Sequence, residues 1–256
     1  MITIYTWFGY DLPVKELLRL IKQAGFDGAM VWWSERNGKS DYLFAPGLAR
    51  ESGLIIENIH APFMDCNNIW LDDLSGNELT DLYLGMIDDC VDYEIPTIVL
   101  HISSGDETPP YGRTGLDRIK RIIDKAERRG VNIAFENLRK AEYLDYVLGS
   151  IDSPRAGFCY DSGHHNCRGY PEEDLLGKYG DRLMALHLHD NDGSGDQHLL
   201  PGDGTIDWPL TMKKIAATGY KGAIAIESDN TGYEDLPPEQ FLRLAFERAK
   251  MLESRA

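Results

Sequence analysis

The chain of 256 residues is 43% hydrophobic and carries 26 Lys and Arg against 42 Asp and Glu, a formal net charge of -16. That length supports one large core, so a single domain over residues 1–256 is expected, and the charge repels phosphate backbones and anionic membrane surfaces unless positive side chains cluster, which they do nowhere along the sequence. Four cysteines without a CxxC pair, an N-terminus "MITIYTWFGYDLP" without a basic, apolar leader, and no apolar run of about 18 residues argue against a secreted disulfide scaffold and a membrane span, and predict a cytoplasmic protein.

In chain order, β-rich runs fall at residues 2–7, 27–33, 54–60, 97–103, 131–137, 156–161, 183–189 and 222–228. Amphipathic segments separate them, with apolar residues at i, i+3, i+4 spacing over 13–25, 77–94 and 114–130 and again over 238–253. Eight βα repeats in about 250 residues match a closed (β/α)8 barrel of the α/β class. An open doubly wound sheet is the rival, but it would usually carry a Gly-rich phosphate turn after an early strand, and "TWFGYDLP" is not GxGxxG.

Barrel enzymes build their sites at the C-terminal ends of the strands. Here the third run ends in His60, the fourth holds His101, the fifth Glu136, the sixth Asp161, the seventh His187 and His189, and the eighth Glu227. Any one of these has an ordinary explanation, a helix-capping Asp or a hydrogen-bonded core His. Six consecutive strands delivering imidazoles and carboxylates to one rim is different: facing carboxylates disfavour one another's ionisation, and the set calls for a cation. "DSGHHN" adds His164 three residues past Asp161, and "DQH" adds Asp196 and His198, a pair close enough to meet one ion.

Asp196 and His198 belong to "HLHDNDGSGDQHLLPGDG" (187–204). Read as a calcium loop from Asp190, this stretch places Asp192, Ser194, Gly195 and Asp196 suitably, but position twelve, which needs a bidentate Glu, is Pro201. Solvated turn chemistry is the better expectation for Asp190, Asp192 and Asp203.

The motifs "IHAPF", "VLHIS", "AFENL", "CYDSGHHN", "HLHDNDGSGDQHLLPGDGTIDW" and "AIES", in this order along nearly the whole chain, resemble those of the xylose isomerase-like barrels, which comprise sugar phosphate isomerases and epimerases and endonuclease IV. In the sugar epimerases one divalent ion is held from the fifth to eighth strands, which implies Glu136, Asp161, His187 and Glu227 as ligands here. His187 is preferred to His189 because the family pattern H-x-x-D is completed by Asp190; both histidines share a face, so periodicity leaves that choice open. Three carboxylates and one imidazole suit Mn²⁺ or Mg²⁺, with Zn²⁺ or Co²⁺ also compatible.

The resemblance further implies proton transfer through a metal-stabilised enediolate, with Glu136 and Glu227 as the acid/base pair and His164 polarising a substrate oxygen. His60, His101, His164, Asp196 and His198 would line the substrate pocket or hold a second metal, as the zinc cluster of endonuclease IV does. Trp7, Phe8, Trp32, Trp33, Phe63 and Trp70 fall at or just after the first three strands, and Trp7 with Trp32 or Trp33 is the expected sugar-stacking pair. The implied partner is a small sugar, with neither nucleic acid nor membrane, and an assembly of identical subunits is left open.

Two alternatives stand beside it: an endonuclease IV-like phosphodiesterase on abasic DNA and an inosose dehydratase-like lyase. A duplex would need a basic rim, and the rim segments hold only Arg36, Lys39, Arg113, Arg139, Lys140 and Arg168 among more numerous acids. One departure from many epimerases is the lack of an arginine a few residues after His187, which puts recognition of a phosphorylated sugar in doubt.

Overall fold

All eight β-rich runs form strands, at β1 Ile2–Tyr5, β2 Gly28–Trp32, β3 Ile55–His60, β4 Thr97–Leu100, β5 Asn132–Glu136, β6 Ala156–Asp161, β7 Leu183–His187 and β8 Ile224–Ile226. The computed structural model describes residues 1–35, 38, 40–167 and 173–254. Arg36, Lys39 and Arg168, counted above among the rim cations, lie outside the described residues.

The strands are parallel in the order β7-β6-β5-β4-β3-β2-β1-β8. The two ends of that order meet just past β7. Leu188 N–H donates to the Ala225 carbonyl at 2.9 Å, and Glu227 N–H donates to the Leu188 carbonyl at 3.0 Å. The sheet thus closes into a (β/α)8 TIM barrel.

The surrounding helices are α1 Val14–Ala24, α2 Ala45–Ser52, α3 Leu74–Tyr93, α4 Arg113–Arg129, α5 Ala141–Ser150, α6 Ser162–Cys167, α7 Leu175–Tyr179, α8 Trp208–Ala217 and α9 Pro238–Glu253. Helix α1 buries Leu17, Leu18 and Ile21 against the sheet and stops at Gly25, whose φ of 106° is a left-handed conformation that a side chain would strain. Helix α3 begins three residues before the apolar pattern does, because the Asp73 carboxylate accepts from Gly76 N–H and caps it. Among the described residues no helix is long and apolar enough to cross a membrane.

What positions the site is the two-residue period of the strands. Val99, Ala134, Cys159 and Ala185, all buried, form a small apolar layer inside the barrel, separate from the main core between sheet and helices. Two residues further along the same four strands stand His101, Glu136, Asp161 and His187, which therefore face the same axis one layer higher. The same step leads from Asn58 to His60 and from Ala225 to Glu227.

The period is broken twice by bulges. Ala29 and Met30 pair with Ile56 and Asn58, leaving Glu57 extra on β3, and Phe158 and Cys159 pair with Leu183 and Ala185, leaving Met184 extra on β7.

Candidate active site

Glu136, Asp161, His187 and Glu227 each offer a ligand atom to a cluster whose atoms all lie within 4.8 Å of one another, and all four residues are buried. His187 Nδ1 sits 3.1 Å from Glu136 Oε2 and 3.1 Å from Glu227 Oε2, so the two carboxylates share one ring nitrogen. Glu136 Oε2 also lies 3.2 Å from His101 Nε2 and 3.4 Å from His60 Nε2, and Glu136 Oε1 lies 2.9 Å from His164 Nδ1.

Asp161 caps a helix and also meets a histidine ring. One carboxylate oxygen accepts from His164 N–H at 2.6 Å, capping α6, while the other meets His189 Nε2 at 3.1 Å. Its backbone is pinned to β5 by Asn137, whose amide accepts from Asp161 N–H and donates to the Asp161 carbonyl, both at 2.8 Å. His189 reaches the cluster only because residue 163 is glycine: a Cβ there would stand 1.9 Å from the His189 ring.

Several of these buried polar atoms face each other without making a hydrogen bond. His101 Nε2, Glu136 Oε2, His164 Nδ1 and His187 Nδ1 are in this state. Buried carboxylates gathered this closely repel one another unless something positive stands among them, so the residues present fit a divalent cation, which three carboxylates and one imidazole could hold. The outer histidines are pre-oriented for a similar purpose. His60 Nδ1 donates to the Ala61 carbonyl at 2.8 Å and His198 Nδ1 to the Glu227 carbonyl at 2.8 Å, which leaves each Nε2 with a lone pair turned toward a carboxylate.

Burial opposes ionisation of Glu136, Asp161, His164, His187 and His189, and their partners overrule it. His101 and His187 hold Glu136 well below the ordinary glutamate value, and His164 and His189 hold Asp161 at about 2. In turn Asp161, Asp196 and Glu136 raise His164 well above the usual imidazole value, and Asp161 raises His189 to about 9. His101 is the exception, because burial outweighs Glu136 and keeps it below the usual value.

The loop after β7 departs from expectation at one residue. Asp190 is fully buried rather than solvated. Its Oδ1 accepts from Asn191 N–H at 2.9 Å and Ile206 N–H at 3.2 Å, and its Oδ2 accepts from Gly202 N–H at 2.9 Å and Trp208 Nε1 at 2.7 Å. The carboxylate is the hub on which residues 190–208 fold, and its four donors leave it no role in a calcium loop. Asp192, by contrast, is exposed and closes a local turn onto Ser194, as turn chemistry predicts. The hub returns "DQH" over the cluster: Asp196 Oδ2 lies 2.9 Å from His164 Nε2, and His198, held at a left-handed φ of 49°, stacks on His189 with ring centroids 4.0 Å apart. His189, Asp196 and His198 make a second group whose ligand atoms lie within 4.8 Å of one another.

An open cavity lies above the ring. Its floor includes His60, His101, Glu136, His164 and Glu227, and its walls include Trp7, Phe63, Leu138, Arg139, Asp196, His198 and Asp229. Trp7 is 48% exposed on the rim, and Trp32 bridges it to His60 and Phe63 by ring contacts. Trp33 does not join them. It follows Trp32 on the opposite face of β2, donates to Asp89 on α3 and packs on Tyr42 and Tyr93. Phe8 and Trp70 are likewise buried away from the cavity, the latter donating to the Ile102 carbonyl.

The family of xylose isomerase-like TIM barrels matches residues 18–250. The chain belongs to this family. An uncharacterized protein of Sinorhizobium fredii is 30% identical, over 91% of this chain and 88% of its own length. The fructoselysine 3-epimerase of Shigella flexneri is 24% identical over 94% of each chain. Among solved structures, the IolI protein with a bound zinc atom superposes with a TM-score of 0.82 at 19% identity, covering 100% of this chain and 99% of that one. The relatives of this chain include a fructoselysine 3-epimerase and an inosose dehydratase, and support an enzyme of this family.

Proposed function

We propose that the protein is a divalent-metal-dependent sugar isomerase or epimerase in which Glu136 and Glu227 are the proton-transfer pair. The observation that carries this reading is the pair of carboxylates sharing His187 Nδ1 at 3.1 Å each on the floor of an open cavity. Glu136, Asp161, His187 and Glu227 would hold the ion, Mn²⁺ or Mg²⁺ by the hardness of the donor set, with Zn²⁺ or Co²⁺ also compatible. When bound, the ion supplies a Lewis acid that stabilises negative charge developing on the oxygens of an open-chain ketose or aldose.

Glu136, kept ionised by His101 and His187, is able to take a proton from a carbon next to the substrate carbonyl. Glu227 stands on the other side of His187 and can return a proton to the opposite face, which inverts that carbon; return by one carboxylate to the neighbouring carbon would instead isomerise it. His164, on the cavity floor between Glu136 Oε1 and Asp196 Oδ2, would polarise a substrate oxygen. His60, His101, Asp196 and His198 line the substrate's path, and Trp7 and Phe63, backed by Trp32, would present apolar faces to sugar C–H groups and keep water from the reacting carbon.

The substrate class follows from charge. Arg139 is the one Lys or Arg among the described residues lining the cavity, and it is already paired with Asp106. That wall suits an uncharged sugar better than a phosphorylated one or a DNA backbone. Incubation with candidate ketoses in deuterated water tests the reading. Deuterium should enter at the carbon next to the carbonyl, in a metal-dependent manner. Loss of water from the product would instead support the dehydratase activity borne by the inosose dehydratase of Geobacillus thermodenitrificans, a relative that matches 44% of this chain and is itself covered over 46% of its length. Cleavage of abasic duplex DNA would overturn both.

A further inference from the structure

The cavity wall that follows β4 carries a hydroxyl with no part in the chemistry above. Ser103 stands two residues past His101, lines the cavity and is 2% exposed. Among the described residues its side chain makes no hydrogen bond within the chain. A hydroxyl buried this deeply is costly without a partner, and the cavity is where a partner can come from.

The neighbours of Ser103 fix its place, not its own side chain. One short turn, Cys66–Trp70, grips the chain on both sides of it. Trp70 Nε1 donates to the Ile102 carbonyl at 2.6 Å, and Asn67 holds the Ser104 peptide at two points, its Nδ2 donating to the Ser104 carbonyl at 2.9 Å and its Oδ1 accepting from Ser104 N–H at 2.8 Å. The Ser104 carbonyl also accepts from Thr108 Oγ1 at 3.1 Å, and Gly105 then turns the chain with a left-handed φ of 69°. Alanine at 103 would keep every one of these contacts, so packing alone does not require the hydroxyl. A backbone held this firmly beneath an unpartnered hydroxyl suits recognition, because little ordering is left to be done when a ligand arrives.

A serine hydroxyl both donates and accepts and carries no charge, which matches a hydroxyl of a polyhydroxylated sugar. We infer that Ser103 is a substrate-binding residue that reads one hydroxyl of an uncharged sugar, with Asn67 and Trp70 as the positioning residues that fix where that hydroxyl must lie. The inference rests on the sugar reading proposed above, and the experiment separates the two. Binding of the D-ketohexoses, the D-ketopentoses and their aldose isomers is measured by titration calorimetry in the presence of Mn²⁺, on the native full-length protein and on Ser103→Ala and Asn67→Ala. The sugar bound most tightly is then replaced by its derivatives lacking one hydroxyl each. Thermal unfolding verifies that each variant folds.

Ser103→Ala should weaken binding of the parent sugar by about 3–10-fold, the size of one neutral hydrogen bond, and Asn67→Ala should act in the same direction by a smaller factor. One derivative should bind the native protein more weakly by a like factor and should bind Ser103→Ala and the native protein alike, since the hydroxyl and its reader are then both gone; the other derivatives should keep the gap between the two proteins. A merely structural role for Ser103 would not select one hydroxyl. Native affinity for the parent sugar in Ser103→Ala, or the same loss with every derivative, would overturn the inference while leaving the sugar reading intact. So would a native protein that binds every derivative as tightly as the parent, a result that needs no variant. Failure of the native protein to bind any of the sugars would overturn the sugar reading itself and the inference with it.

Discussion

Glu136 and Glu57 are two carboxyl groups inside one barrel, and they meet opposite fates. Glu136, in the upper ring, is surrounded by His60, His101, His164 and His187 and stays ionised despite its burial. Glu57, the half-buried bulged residue on β3, accepts from Thr3 Oγ1 at 2.9 Å, and desolvation pushes it up to about 7. Desolvation acts on both, so the difference lies in the company: His101, His187 and His164 outweigh it at Glu136, whereas the Thr3 hydroxyl, His187 and the Ala223 backbone do not at Glu57. Asp190 shows a third solution, a buried carboxylate held by four neutral N–H donors. The upper end of the barrel concentrates compensated charge for chemistry, whereas the lower end carries an uncompensated group at a cost in stability.

Removing the charge from the ring should produce the largest effect. Glu136→Gln and Glu227→Gln are each expected to lower the rate of solvent deuterium incorporation by about 10²–10⁴-fold, the usual contribution of a positioned acid or base. Metal binding should weaken in both, and equilibrium denaturation should show the folds intact. Rates within a few-fold of native for either variant would remove that carboxylate from the proton-transfer pair.

Asp190→Ala tests the third solution and should cost fold rather than chemistry. It strands four donors, at least two of them buried in the loop hub, and is expected to destabilise the protein by about 3–5 kcal/mol, read as a shift in denaturant midpoint. A shift no larger than that of a surface substitution would mean that the loop holds its shape without the carboxylate.

Glu57 gives the comparison its pH signature. Its folded value of about 7 stands above the unfolded value of 4.5, so the folded state retains a proton that the unfolded chain releases. The sign is therefore that of an acid disfavoured in its charged form: the Glu57 contribution to stability is greatest at low pH and falls as pH rises from about 4.5 to about 7, by at most on the order of 3 kcal/mol. Glu57→Gln should flatten that part of the stability curve of the metal-free protein and be the more stable form at pH 8. Parallel curves for the two proteins between pH 5 and pH 8 would show that Glu57 is ionised in the fold after all.

The barrel and its upper ring were legible in the sequence because both follow from a period of two: a run of β-formers ending in His, Asp or Glu puts that residue on the axis at the catalytic end. What escaped was set by neighbours distant in the chain. Asp190 reads locally as one more turn aspartate, and only the return of Gly202, Ile206 and Trp208 converts it to a buried hub. Glu57 sits where plain alternation points a side chain away from the axis, and the bulge opposite Ala29 and Met30 leaves no mark in composition. Trp32 and Trp33 are adjacent and chemically identical, yet one faces His60 and the other Asp89. His187 and His189 share a face, as expected, but the first meets Glu136 and Glu227 while the second meets Asp161, a division that side-chain period alone does not resolve.

The smallest expected effect addresses the loop-borne group of His189, Asp196 and His198. Unlike the strand-held quartet, it depends on a returning loop, and Asp196 and His198 retain side-chain exposures of 22% and 31%. Exposure weakens electrostatic coupling, and a loop is a less rigid support for a ligand than a strand end. Asp196→Asn keeps the size of the side chain but removes the charge that faces His164 Nε2 at 2.9 Å. If the group serves the substrate, turnover should fall about 10-fold through a weaker His164, with metal affinity and stoichiometry unchanged. If the stoichiometry instead drops by one ion, the loop is itself a ligand-bearing element, and the contrast between strand-held and loop-held residues becomes one between two metal positions.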